Sequence, residues 1–181
     1  MITNISDLHA SLQSLVSIIT GINQNRVILA NQGRPPPQGN DLYATYNPVP
    51  VRAYGQARKS RALTPAEETG PDGNWQDIAE TTITQLEIML SVNCINEGAK
   101  DAALKFHNAQ FRHPVRKMLV TNGIGYRYAS ELRSLTGLYQ AGMQPRYQLD
   151  VHLFIESGIT DTILRAAGFT VEVTDENGND L

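Results

Sequence analysis

The chain has 181 residues, 41% of them hydrophobic and 18% charged, which suits one folded domain burying roughly 70% of its unfolded surface. A formal charge of −3, from 15 basic and 18 acidic residues, gives no electrostatic ground for tight nucleic-acid or anionic-membrane binding. A single cysteine, Cys94, excludes an intrachain disulfide and a multi-cysteine zinc site; its place in an alternating apolar run marks it as a small buried hydrophobe.

In chain order, residues 6–20 read as a helix. Ser6 or Asp7 can cap it, Leu8, Leu12, Leu15, Val16 and Ile19 form one apolar stripe, and Gly21 stops it. The same N-terminal stretch lacks the positive start of a signal peptide, and no apolar run approaches the ~20 residues that span a bilayer. These features predict a soluble protein, intracellular where it is made.

The short run "RVILA" (26–30) is β-rich, and a loop with three consecutive prolines, Pro35, Pro36 and Pro37, follows it. Residues 41–55 suit a strand, but Pro48 and Pro50 remove ladder donors, which places that strand at an edge or breaks it at a bulge. Residues 56–75 show no sustained period and contain Pro65, Gly70, Pro71 and Gly73, so they read as a long mobile hairpin arm.

The clearest strand spans 81–95. Thr82, Thr84, Leu86, Ile88, Leu90, Val92 and Cys94 form an inward face; Gln85, Glu87, Met89, Ser91 and Asn93 form a polar outward one. Ala102, Ala103, Phe106 and Ala109 then recur at helical spacing, and Pro114 kinks that helix or starts another. Two alternating runs follow, 123–135 and 145–157, the second with Tyr147, Leu149, Val151, Leu153 and Ile155 on one face. A short strand is expected at 169–173. The order predicts an α+β domain: a mostly antiparallel sheet, two main helices packed on it, the hairpin arm, and an acidic tail over 174–181 beyond a single domain of 1–173.

Catalytic constellations are sparse. His107 and His113 lie six residues apart, the wrong spacing for two metal ligands on one helix. Asp150 and His152 share a strand face, which an exposed polar sheet surface explains as well as a catalytic pair does. "TNGIGYRY" (121–128) lacks the third glycine and following helix of a dinucleotide loop and reads as a turn before a strand. No cofactor or metal is expected, and the sequence offers no enzyme. The richest basic segment, Arg52 with Arg58, Lys59 and Arg61, reads as a solvated arm or one that docks on an acidic neighbour, with DNA binding as the alternative.

The stretch from Asn25 to Gly55 resembles the neck or tail-terminator proteins of tailed bacteriophages. Their N-terminal helix leads into an "R-V-I-x-A-N-Q" segment, here Arg26 to Gln32. A Pro-rich turn, a strand with a "Y-x-T" core (Tyr43 to Thr45) and a polar strand ending near a glycine (Val51 to Gly55) come next. Leu135 to Leu153 is similar to a second family stretch, with Tyr139 and Met143 to Pro145 standing where an aromatic and small residues are usual. The resemblance implies a structural protein of the virion, present in the host cytoplasm during assembly. It would form a ring, usually a homohexamer, that caps the tail tube and joins it to the portal-side neck proteins, beside the sheath if the tail is contractile. Genomic DNA would pass through the channel, and no membrane would be involved. A head-closure or adaptor ring of the same neck is the neighbouring alternative, and a small enzyme using Asp150 and His152 a more distant one. On this reading Arg34, Pro35, Pro36, Pro37, Arg52, Arg58, Lys59 and Arg61 are candidate subunit contacts, with the prolines pre-stiffening a docking loop. Glu87, Glu172, Asp175 and Glu176 are candidates to face the channel.

Overall fold

The structure, a computed structural model, describes residues 5–33, 35–37, 39–65, 76–139 and 142–163. The expected strand at 169–173 and the acidic tail lie outside them, as do Arg34 and the segment 66–75.

The first helix, α1 (His9–Thr20), follows a 3-10 turn over Ile5–Leu8. The position before it is Leu8, which makes no side-chain cap, and the expected capping residues Ser6 and Asp7 lie in the preceding 3-10 turn. At its other end Gly21 takes φ 82° and its N–H donates to Ser17 O, a left-handed stop that glycine adopts without steric cost. Lys105 Nζ (2.6 Å) and Arg112 NH1 (2.7 Å) donate to the carbonyls of Thr20 and Ile19, placing cations at the negative end of the helix.

Among the described residues, eight strands follow the Arg26 turn: β1 (Val27–Leu29), β2 (Tyr43–Pro65), β3 (Gln76–Ile95), β4 (Gly125–Ala129), β5 (Arg133–Ser134), β6 (Gly137–Tyr139), β7 (Gly142–Gln144) and β8 (Arg146–Ile163). The main sheet has the order β1-β2-β3-β8-β4, with β5 also paired to β8; β6 and β7 form a separate hairpin. β1 runs parallel to β2, with Val27 opposite Ala44, whereas β4 and β5 are antiparallel to β8. Side-chain rungs joining Asn93 to Arg146, Ser91 to Gln148 and Glu87 to His152 show that β3 and β8 run in opposite senses. The fold is therefore α+β and mostly sheet, as the alternation predicts.

Pro48 and Pro50 sit where their chemistry allows. Tyr46 O accepts from Ala30 N, so the even-numbered backbone groups of β2 point toward β1. β1 ends opposite Tyr46, and the two residues that lack an N–H then face an open edge. The segment 56–65, expected as part of a long mobile hairpin arm with no sustained period, belongs to β2, and its Lys59 and Arg61 reach Glu80 of β3.

The second helical region is broken in two. α2 (Ala99–Leu104) ends in tight turns before Phe106, and α3 (His113–Thr121) begins afresh with Pro114 in its first turn, where the missing N–H costs nothing. α1 packs against both helices, and all three cover one sheet face. The core between them gathers Leu12, Leu15, Val16 and Ile19 of α1, Ile88, Leu90, Val92 and Cys94 of β3, Phe106, and Leu149, Val151 and Leu153 of β8, each at most 1% exposed.

By contacts the chain divides into two compact units. One comprises residues 1–57 and 83–158 and holds the helices and this core. The other comprises 58–82 and 159 onward, where Lys59 and Arg61 both reach Glu80 at 2.7 Å and the Thr81 and Thr160 hydroxyls lie 2.9 Å apart.

Candidate assembly surface

The Pro-rich loop is anchored at its exit. Arg26 Nε and NH2 donate to the carbonyls of Leu42 (3.0 Å) and Asp41 (2.7 Å), and a third guanidinium nitrogen lies 3.5 Å from the Asp41 carboxylate. Asn96, at the turn after β3, donates from Nδ2 to Asp41 O at 3.0 Å, while its Oδ1 accepts from Gln144 Nε2 at 2.9 Å and its backbone N–H donates to Pro145 O. This one buried amide, held at φ 80°, therefore ties the loop before β2 to the β6–β7 hairpin. Asparagine is among the few residues that tolerate this left-handed backbone.

Two depressions flank the loop. One, of about 310 Å³, lies between Pro35, Pro36 and the β1–β2 pair; the other, of about 780 Å³, is bordered by Pro36, Pro37, Tyr43, Asn96, Met143 and Pro145. Pro35 and Pro36 are exposed and Pro37 half-buried. On the hairpin, Leu138 pairs with Met143 across the strands, and these side chains are 81% and 67% exposed. The two side chains form a small apolar pair on an otherwise polar surface.

The sheet face away from the helices carries a different cluster. Glu87 is 2% exposed, not solvent-facing as alternation along β3 predicts. Its Oε2 accepts from Arg52 Nε (2.9 Å), and its Oε1 accepts from Arg127 NH1 (2.6 Å) and lies 2.9 Å from His152 Nδ1. An ionised carboxylate only accepts, so His152 presents its proton at Nδ1. The Arg52 hydrogen bond, helped by those from His152 and Arg127, outweighs burial and holds the Glu87 pKa down at about 2. The His152 ring stacks on Tyr128 at 4.4 Å, and the Arg127 guanidinium lies 5.4 Å from Tyr128 and 5.5 Å from Phe154.

This geometry is cohesive rather than catalytic. The ring partner of His152 is Glu87, not Asp150, whose buried Oδ1 has no hydrogen-bond partner among the described residues. A carboxylate with both oxygens occupied and a pKa near 2 is no base at neutral pH. The Cys94 thiol is fully buried, and burial pushes its pKa to about 12. Among the described residues no three His, Cys, Asp or Glu side chains converge as a metal site would require, and no helix is long and apolar enough to cross a membrane.

The other sequence candidates separate by place. Arg52 serves Glu87; Lys59 and Arg61 serve Glu80, lowering its pKa; Arg58 is exposed. Glu172, Asp175 and Glu176 lie outside the described residues. Sequence reasoning missed Asn96 and the Leu138–Met143 pair. The signals are slight: "NEG" after a long strand marks a turn, and Gly137 and Gly142 each open one strand of the hairpin.

Among curated proteins, none matches the chain in sequence. A family model for the phage neck terminator protein does match, over residues 6–179. A structural place in the neck of the phage tail follows, with contacts to other tail and neck proteins. With that match covering nearly the whole sequence, the chain belongs to the phage neck terminator protein family.

Proposed function

We propose that copies of this chain close into a ring, six by the family resemblance, that caps the tail tube, joins it to the head-side connector and leaves a channel for DNA. The observation that carries the reading is the Asn96-clamped surface, where the proline loop and the apolar Leu138–Met143 pair stand side by side, ready-made for a partner. A closed ring of identical copies needs head-to-tail contacts between two different patches, and a preformed loop loses less entropy on docking. Each proline contributes by that route up to about 0.4–1 kcal/mol. The segment 56–75 then reaches a neighbouring subunit or the next ring, with Arg58, Lys59 and Arg61 at its base.

The test is a pair of variants. Leu138→Asp with Met143→Asp keeps the monomer's circular dichroism and loses the ring in electron micrographs and native mass measurements. Replacing Pro35, Pro36 and Pro37 by Ala raises the concentration needed for assembly. Rings of unchanged mass and normally joined tails in both variants would refute this surface as the contact.

A further inference from the structure

α3 carries two cations and an apolar residue on the face turned away from the core. Val115 and Leu119 are buried, as an amphipathic helix requires. The opposite face, His113, Arg116, Lys117 and Val120 at three- and four-residue spacing, is exposed; Val120 is 73% exposed and Phe111, just before the helix, 78%. Arg116 and Lys117 have no ion-pair partner among the described residues, whereas Lys105 and Arg112 are spent on α1.

The charge of the chain is unevenly spread around this face. Residues 99–121 carry Lys100, Lys105, Arg112, Arg116 and Lys117 against one acid, Asp101, in a protein whose formal charge is −3. The last ten residues are the complement: Glu172, Asp175, Glu176 and Asp180, with no lysine or arginine and with Val171 and Val173 beside them. Residues 164–181 follow β8, a length that spans up to roughly 60 Å when extended.

We propose that the exposed face of α3 receives the acidic C-terminal segment, 171–181, of a neighbouring copy, carboxylates on Arg116 and Lys117 and valines against Phe111 and Val120. The contact rests on the ring reading, and supplies it with a second pair of unlike patches of the kind a head-to-tail closure needs. Opposite charges flanked by apolar groups fix register as well as attraction.

Zero-length carbodiimide coupling tests this on full-length protein assembled from equal parts isotope-labelled and unlabelled chains, with the mass of the assembly measured in the same sample. Links between Lys117 and Asp175, Glu176 or Asp180 that join labelled to unlabelled chains are the expected result. They vanish in the Arg116→Glu, Lys117→Glu variant and return when Asp175→Lys and Glu176→Lys are added. A ring that forms without such links, or with links confined to single chains, overturns the tail contact and leaves the ring standing. A chain that stays monomeric overturns both. A salt-dependent shift of duplex DNA that needs Arg116 and Lys117, without the links, assigns the face to DNA and overturns the proposal.

Discussion

Glu87 occupies an odd-numbered position of β3, on the face that alternation assigns to water, and yet it is covered. What covers it comes from three other strands: Arg52 of β2, Arg127 of β4 and His152 of β8. Alternation describes one strand at a time, so it gave the direction of this side chain correctly and its burial wrongly. The stability contribution of the Glu87 carboxylate has a defined pH window. The folded pKa, about 2, lies below the ordinary 4.5, so the native state holds fewer protons than the unfolded one across that interval. The contribution is complete above about 4.5 and is lost as pH falls toward 2. Glu87→Gln is therefore expected to lower the thermal midpoint at pH 7, and the gap to the parent protein should close as acid titration approaches pH 2. Parallel melting curves with a constant gap would contradict the assignment.

Between elements, the turn after β3 decides how the loop and the hairpin meet. Asn96→Ala removes two side-chain hydrogen bonds and places a Cβ residue without asparagine's tolerance at φ 80°. The expected loss is about 2–3 kcal/mol by urea unfolding. Asn96→Gly should recover about 1 kcal/mol of it by relieving the backbone alone. Equal losses in both would show that strain plays no part. Elements were read from the sequence in proportion to the length of their pattern. The stripes of α1, β3 and β8 are long, and each was found with its inward face correct. The β6–β7 hairpin has strands of three residues and an exposed apolar pair, so it has no period to detect. Prolines and charges mask the alternation of the long β2 strand beyond residue 55; its cations find Glu87 and Glu80 only once β3 lies beside it.

For the whole molecule, the α+β class follows from the order of apolar patterns, and the family resemblance from residues 25–55, which build the β1–loop–β2 unit, together with 135–153. The candidate contacts were less legible, because a surface that fits another protein has no internal pattern to obey. The core offers a global reporter. Cys94 is sealed between the sheet and the helices with its thiol pKa at about 12, so a disulfide reagent at pH 8 is expected to label it only at the rate of unfolding. Labelling as fast as in the denatured chain would mean that the helical layer does not close over β3.

The two prolines of β2 also bear on what many copies can do together. Past Tyr46 the strand's rim has gaps in its row of donors at positions 48 and 50, on the side where no further strand lies among the described residues. A stray strand seeking to extend the sheet there meets carbonyls with nothing to answer its own, and such zipping stalls before it starts. An edge of this kind disfavours fibrous clumping by strand addition.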